Sequence, residues 1–155
     1  MTKEGSERVS KPNFLTSMLG CKCSRCRTGK MFKNDISISN KKNMEMPQNC
    51  PACGQPLELE VGFYYGTGYV SYALTVAISV ATFIAFWVIY GISIDDNSLY
   101  IYLVINGIVL LLSLPYIMRL SRTIWLSFFV KYDPDWKSKE AEQPERIVKE
   151  HMGNW

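Results

Sequence analysis

The sequence predicts a membrane protein in two parts: a small cytoplasmic zinc-ribbon head made of short β hairpins, followed by a two-helix transmembrane hairpin. Three observations predict it. Cys23-Ser-Arg-Cys26 and Cys50-Pro-Ala-Cys53-Gly54 are paired Cys-x-x-Cys turns with 23 residues between them. Charge is segregated: of 31 charged side chains, 16 lie in residues 1–60 and 13 in residues 119–155, leaving Asp95 and Asp96 between. Two stretches, the 34 residues Val61–Ile94 and the 22 residues Asn97–Met118, carry no charge at all. A single soluble core does not sort its charges this way.

The four cysteines Cys23, Cys26, Cys50 and Cys53 are the candidate metal ligands. A two-residue gap lets both thiolates of a pair reach one ion from a tight turn, and two such turns complete a tetrahedron. Proline stiffens the second turn. Gly54 after Cys53 tolerates positive φ and lets backbone N–H groups approach the sulfurs. The ion predicted is Zn²⁺, with iron as the alternative, because Cys₄ geometry does not separate the two. The residues 1–20 carry no apolar signal-peptide core, which places the cysteines in a reducing compartment where paired thiols act as ligands rather than disulfides.

Along the chain, residues 1–12 read as a mobile polar tail and 13–60 as the zinc-ribbon module. Residues 61–130 read as the hairpin and 131–155 as a charged cytoplasmic tail. Within the module, Phe14-Leu15 and Met18-Leu19 form an apolar helical turn. Gly29-Lys30-Met31-Phe32 opens a hairpin, Ile36-Ser37-Ile38 and Leu57-Glu58-Leu59-Glu60-Val61 alternate like strands, and Asn40–Asn43 is a turn. So small a module lacks the core to fold unaided, so the metal must supply much of its stability.

The spans are predicted near residues 69–92 and 99–118, the second helix continuing to about 130, since about 20 apolar residues cross the hydrocarbon layer. Asp95 and Asp96 mark the hairpin turn, and Tyr64, Tyr65, Tyr69, Trp87, Tyr90, Tyr100, Tyr102, Tyr116 and Trp125 fall at interfacial depths. Ten Lys and Arg precede the first span, seven follow Met118 and the intervening loop has none, which predicts both termini in the cytoplasm.

Gly62 and Gly66, then Ala73, Ala77, Ala81 and Ala85, offer small helix-packing positions beside a row of Ser71, Thr75 and Ser79. The alanine row packs either on the second span or on another membrane protein. Asn106 is expected to hydrogen-bond a neighbouring helix. Pro115 is expected to kink the second helix, and Arg119 and Arg122 to snorkel to lipid headgroups. Arg25, Arg27, Lys30 and Lys33 are likewise assigned to headgroup attraction. No basic stripe interleaved with aromatics points to nucleic acid.

Three stretches resemble the bacterial membrane-protein family known as domain of unknown function 983: Cys23-x-x-Cys26-x-x-Gly29-x-Met31-Phe32, Cys50-Pro-x-Cys53-Gly54, and Gly62-Phe-Tyr-Tyr-Gly66 through Leu74. The resemblance spans roughly residues 15–132. Ser24 stands where the family often has proline, and Cys21 is an extra thiol. The resemblance implies a zinc-ribbon head, a two-helix hairpin in a bacterial inner membrane and no established activity. Some members are encoded near haem–copper oxidase assembly genes, which implies a respiratory complex as partner.

No catalytic constellation is present in the sequence. His151 is the sole histidine, in the polar tail, and Glu58 and Glu60 read as a solvated strand face. The expected function is that of a non-enzymatic accessory or assembly subunit of a larger inner-membrane complex, with the bilayer and another integral membrane protein as partners and no small-molecule substrate. Two alternatives stand beside it. One is a tethered rubredoxin-like iron protein, weakened by few aromatics near the knuckles. The other is soft-metal delivery, in which Cys21, Met44 and Met46 offer Cu(I) a site.

Overall fold

The computed structural model describes residues 12–37, 40–91 and 97–141. The expected turn at Asp95 and Asp96, the tail histidine His151, Ile38 and the N-terminal residues 1–11 lie outside them. Four α-helices follow in order: α1 (Phe14–Leu19), α2 (Asn40–Met44), α3 (Thr67–Tyr90) and α4 (Ser98–Phe129), with a 3-10 turn at Phe63–Gly66 leading into α3.

The long helices are both long and apolar enough to cross a membrane, and their outer faces expose Tyr, Val, Ile, Leu and Phe rather than charge. Gly91, at φ 75°, ends α3 in a conformation that side chains avoid. Against α4, α3 sets its hydroxyl-bearing face. Thr82 Oγ1 donates to Asn106 Oδ1 at 3.0 Å, Asn106 Nδ2 donates to Ser79 Oγ at 3.3 Å, and the Tyr102 hydroxyl donates to the Ser79 carbonyl at 3.1 Å. Asn106 thus ties the two helices together, as its sequence position suggested. Ala73, Ala77, Ala81 and Ala85 are all exposed, whereas Ser79 and Thr82 meet α4.

At about 1.5 Å per residue, the 32 residues of α4 extend about 48 Å, well beyond a hydrocarbon layer about 30 Å thick. The surplus end carries the head. Ile117, Leu120 and Leu126 are buried there, while Phe128 and Phe129 stay exposed. Gly66 allows the close approach. A Cβ on it would lie 2.1 Å from the Trp125 ring, and the Trp125 indole N–H donates to the Phe63 carbonyl at 2.7 Å. Tyr64 and Trp125, expected among interfacial aromatics, instead belong to the head, where Tyr64 is buried.

The expected β hairpins are not seen among the described residues. Among the described residues the head holds only two isolated antiparallel bridges, Lys22 with Lys30 and Asn49 with Pro56. Side chains have claimed the backbone groups that strand ladders need. The carbonyls of Asn34 and Asp35 accept from Arg119, the Ser37 N–H donates to Asn43 Oδ1, and the Leu57 carbonyl accepts from the Tyr64 hydroxyl. Asn40–Asn43, expected as a turn, lies within α2.

Candidate metal centre

The two knuckles share one local design. In each, the N–H of the residue after the second cysteine donates to the carbonyl of the first: Arg27 to Cys23 at 2.8 Å, Gly54 to Cys50 at 2.9 Å. Both of those residues are left-handed, Gly54 at φ 69° and Arg27 at φ 56°. Glycine adopts this freely, whereas an L side chain there costs roughly 1–2 kcal/mol. Arg27 offsets the strain through its side chain. The guanidinium lies 4.1 Å over the Tyr132 ring and 5.3 Å from that of Phe14, and donates to the Pro12 carbonyl at 3.1 Å.

These turns bring the four predicted sulfurs together, all within 4.8 Å of one another. Cys23 and Cys53 are 3.8 Å apart, as are Cys26 and Cys50. A disulfide needs sulfurs about 2.05 Å apart, so the pairs are not bonded. A tetrahedron of ligands about 2.3 Å from a central ion has edges of about 3.8 Å. The group fits such an ion. Cys23, Cys26 and Cys50 are buried, and Cys53 is partly so.

Contacts among the four sulfurs lower two of the thiols, Cys26 and Cys50, and raise the other two, Cys23 and Cys53. The Gly29 N–H donates to Cys26 Sγ at 3.4 Å. Hydrogen bonds from Cys23 above all hold Cys26 below the ordinary thiol range and bring Cys50 to about 7. Cys23 is held above that range, chiefly by its bond to Cys26. Gly29 matters by lacking a side chain, since a Cβ there would sit 2.4 Å from Cys50 Sγ. Gly29→Ala is therefore expected to weaken metal binding by about 10–100-fold, measured by chelator competition. A change under twofold would show that the loop yields without moving the sulfur.

Around the sulfurs lies an apolar shell that the sequence reading did not foresee. Met31, Phe32, Leu57, Phe63, Tyr64 and Leu126 form one buried cluster with the cysteines, and Trp125 and Trp136 pack against it. Several of these aromatics come from distant segments, so spacing along the chain gave no warning. Cys21 stays outside the four-sulfur group. It is half-buried at φ 50°, and burial raises its thiol above the ordinary range.

Two arginines do other work than expected. Arg119, 5% exposed, donates through Nη2 to the carbonyls of Asn34 and Asp35 at 2.9 and 2.8 Å. Its Nε donates to the Asn43 carbonyl at 3.0 Å, and its guanidinium lies over the Phe32 ring at 4.8 Å. Arg122 lies 4.8 Å over the Tyr64 ring and donates to the Met44 carbonyl at 3.4 Å. They fasten α4 to the head rather than reaching for lipid, because carbonyls freed from strand pairing stand closer. Arg25, also assigned to headgroups, is 5% exposed. It donates to the Cys53 carbonyl at 3.3 Å and to the carbonyls of Lys139 and Glu140 at 2.8 and 3.0 Å, and it pairs with Asp133 at 3.4 Å. Residues 133–140 are thus bound to the first knuckle.

No curated protein and no solved structure matches the chain. A family model described as "Protein of unknown function (DUF983)" matches residues 41–129. That stretch holds the second knuckle, α3 and α4, while the first knuckle and the C-terminal segment it grips lie outside. The match covers more than half of the chain, which therefore belongs to the DUF983 family.

Proposed function

We propose that this protein is a non-catalytic accessory or assembly subunit of a larger, respiratory-type complex of the bacterial inner membrane, with one structural Zn²⁺ held by Cys23, Cys26, Cys50 and Cys53. The outward alanine row of α3 carries the reading. Within the hairpin, Ser79 and Thr82 are taken by α4 and the polar Asn106 is satisfied, so the exposed Ala73, Ala77, Ala81 and Ala85 remain for a neighbour. Small residues let helix backbones approach closely where lipid offers no hydrophobic gradient. A head stapled by sulfur suits docking. Purification in mild detergent through a C-terminal tag should co-isolate a stoichiometric membrane protein that dissociates on combined Ala77→Leu and Ala81→Leu. A lone monodisperse protein, equally stable and functional with both substitutions, would end the reading.

Orientation follows from the lysine and arginine asymmetry, with head and tail in the cytoplasm. On intact cells an impermeant thiol reagent should label Ser98→Cys and spare Ser138→Cys; the reverse pattern would overturn the topology.

A second reading is favoured by the aromatic shell. Phe32, Phe63 and Tyr64 are buried with the sulfurs, the kind of low-dielectric surround that tunes an iron–tetrathiolate centre. A tethered rubredoxin-like electron carrier would purify coloured, with iron as its metal; the zinc protein would be colourless.

A further inference from the structure

A series of polar contacts fixes the height of the head along α4. Counting about 20 residues from Ser98 puts the near edge of a hydrocarbon layer close to Ile117. At that height Asn43 Nδ2 donates to the Pro115 carbonyl at 2.8 Å, and the Tyr116 hydroxyl donates to the Leu19 carbonyl at 2.8 Å. Arg119 holds the carbonyls of Asn34 and Asp35 just beyond. The end of α1, residues 34–36 and α2 therefore form the rim of the head nearest the bilayer.

This rim has an unusual surface for a water-facing edge. Leu15, Leu19 and Ile36 are 68, 55 and 58% exposed, and Lys41 and Lys42 stand exposed beside them. The neighbouring acids do not cancel the charge. Glu45 is engaged by Lys33 at 3.0 Å and by Asn34, leaving Asp35 against two lysines. Bulky apolar groups with lysines at headgroup height are the composition of interfacial anchors, and such lysines are drawn to anionic leaflets. Arg119 does not serve here, since it is 5% exposed and holds the carbonyls of Asn34, Asp35 and Asn43 inside the head.

We infer that this rim seats the head on anionic phospholipid: Ile36, Leu15 and Leu19 enter the boundary between headgroups and acyl chains, and Lys41 and Lys42 bind the lipid phosphates. The inference rests on reading α3 and α4 as a membrane hairpin, and its test separates the two. Full-length, zinc-loaded protein with Cys21→Ser carries a spin label at Ile36→Cys, in nanodiscs of phosphatidylcholine with or without phosphatidylglycerol. The readout is collision with oxygen relative to a water-soluble nickel chelate, with Leu111→Cys as the mid-span reference.

The expected result is an oxygen-to-nickel ratio at Ile36 at least about twofold higher in the anionic discs. Lys41→Glu with Lys42→Glu, or the milder glutamine pair, should remove that excess with zinc content unchanged. A water-like label at Ile36 in both bilayers, with Leu111 shielded, overturns the anchor and leaves the hairpin standing. Immersion that ignores lipid charge and both substitution pairs overturns the phosphate recognition. A water-like Leu111 ends the hairpin reading and the anchor with it.

Discussion

Cys50→Ser should reduce bound metal from about one ion per chain to none detectable by elemental analysis, and should unfold the head with it. The sulfur lost sits 3.8 Å from Cys26 and is buried, so no outside ligand replaces it without opening the core. Structural zinc contributes about 10–16 kcal/mol in small Cys-rich modules, as much as the whole stability of an ordinary domain, about 5–15 kcal/mol. The head has little to set against that loss. Proteolysis should then cut within residues 12–60, while Cys21→Ser, outside the sulfur group, should keep full metal and full protection. Retention of stoichiometric metal by Cys50→Ser would dismiss the four-sulfur site. Copper that departs with Cys21→Ser would revive the delivery reading.

Arg119→Ala should cost about 3–5 kcal/mol locally, since hydrogen bonds from a charged donor contribute about 1.5–3 kcal/mol each and the orphaned carbonyls would be partly shielded from water. The three carbonyls involved belong to Asn34, Asp35 and Asn43. Hydrogen exchange in residues 34–44 should accelerate by about a hundredfold or more, with α3 protection unchanged. Arg119→Lys keeps the charge but loses the fork that spans several acceptors, so it should fall between. Unaltered exchange in Arg119→Ala would show that packing on Leu120 and Leu126 holds the head without the arginine.

Those arginines show where sequence reasoning stops. The four ligands were legible because Cys-x-x-Cys is a local device, complete within each turn. Both long helices were legible because missing charge over 20 or more residues is also a local property. Arg119 was not. Two arginines three residues apart at the end of a span look the same whether they face phosphate or protein, and the deciding carbonyls lie 76 to 85 residues away. Strand prediction failed for a more local reason. Alternation in Leu57–Val61 is real, but Tyr64 takes the Leu57 carbonyl and a turn from Glu60 to Phe63 breaks the run. Asn43, wholly buried and bonded to Ser37 and Pro115, gave no signal among the lysines and asparagines around it. Gly29 did stand within the family-like pattern, and its contact with Cys50 supplies the physical reason for its place.

The grip of Arg25 on the segment around Glu140 sets an order in time. The contact joins residues 115 apart, and Leu126 completes the core that surrounds the sulfurs. Chains emerge from the ribosome N-terminus first at roughly 5–20 residues per second, so the first knuckle waits about 6–23 s for its C-terminal partner. Both long helices are made in that interval. The head is thus synthesised before the two long helices and closed after them, and its thiols stay open to an incoming ion until the helices behind them are in place.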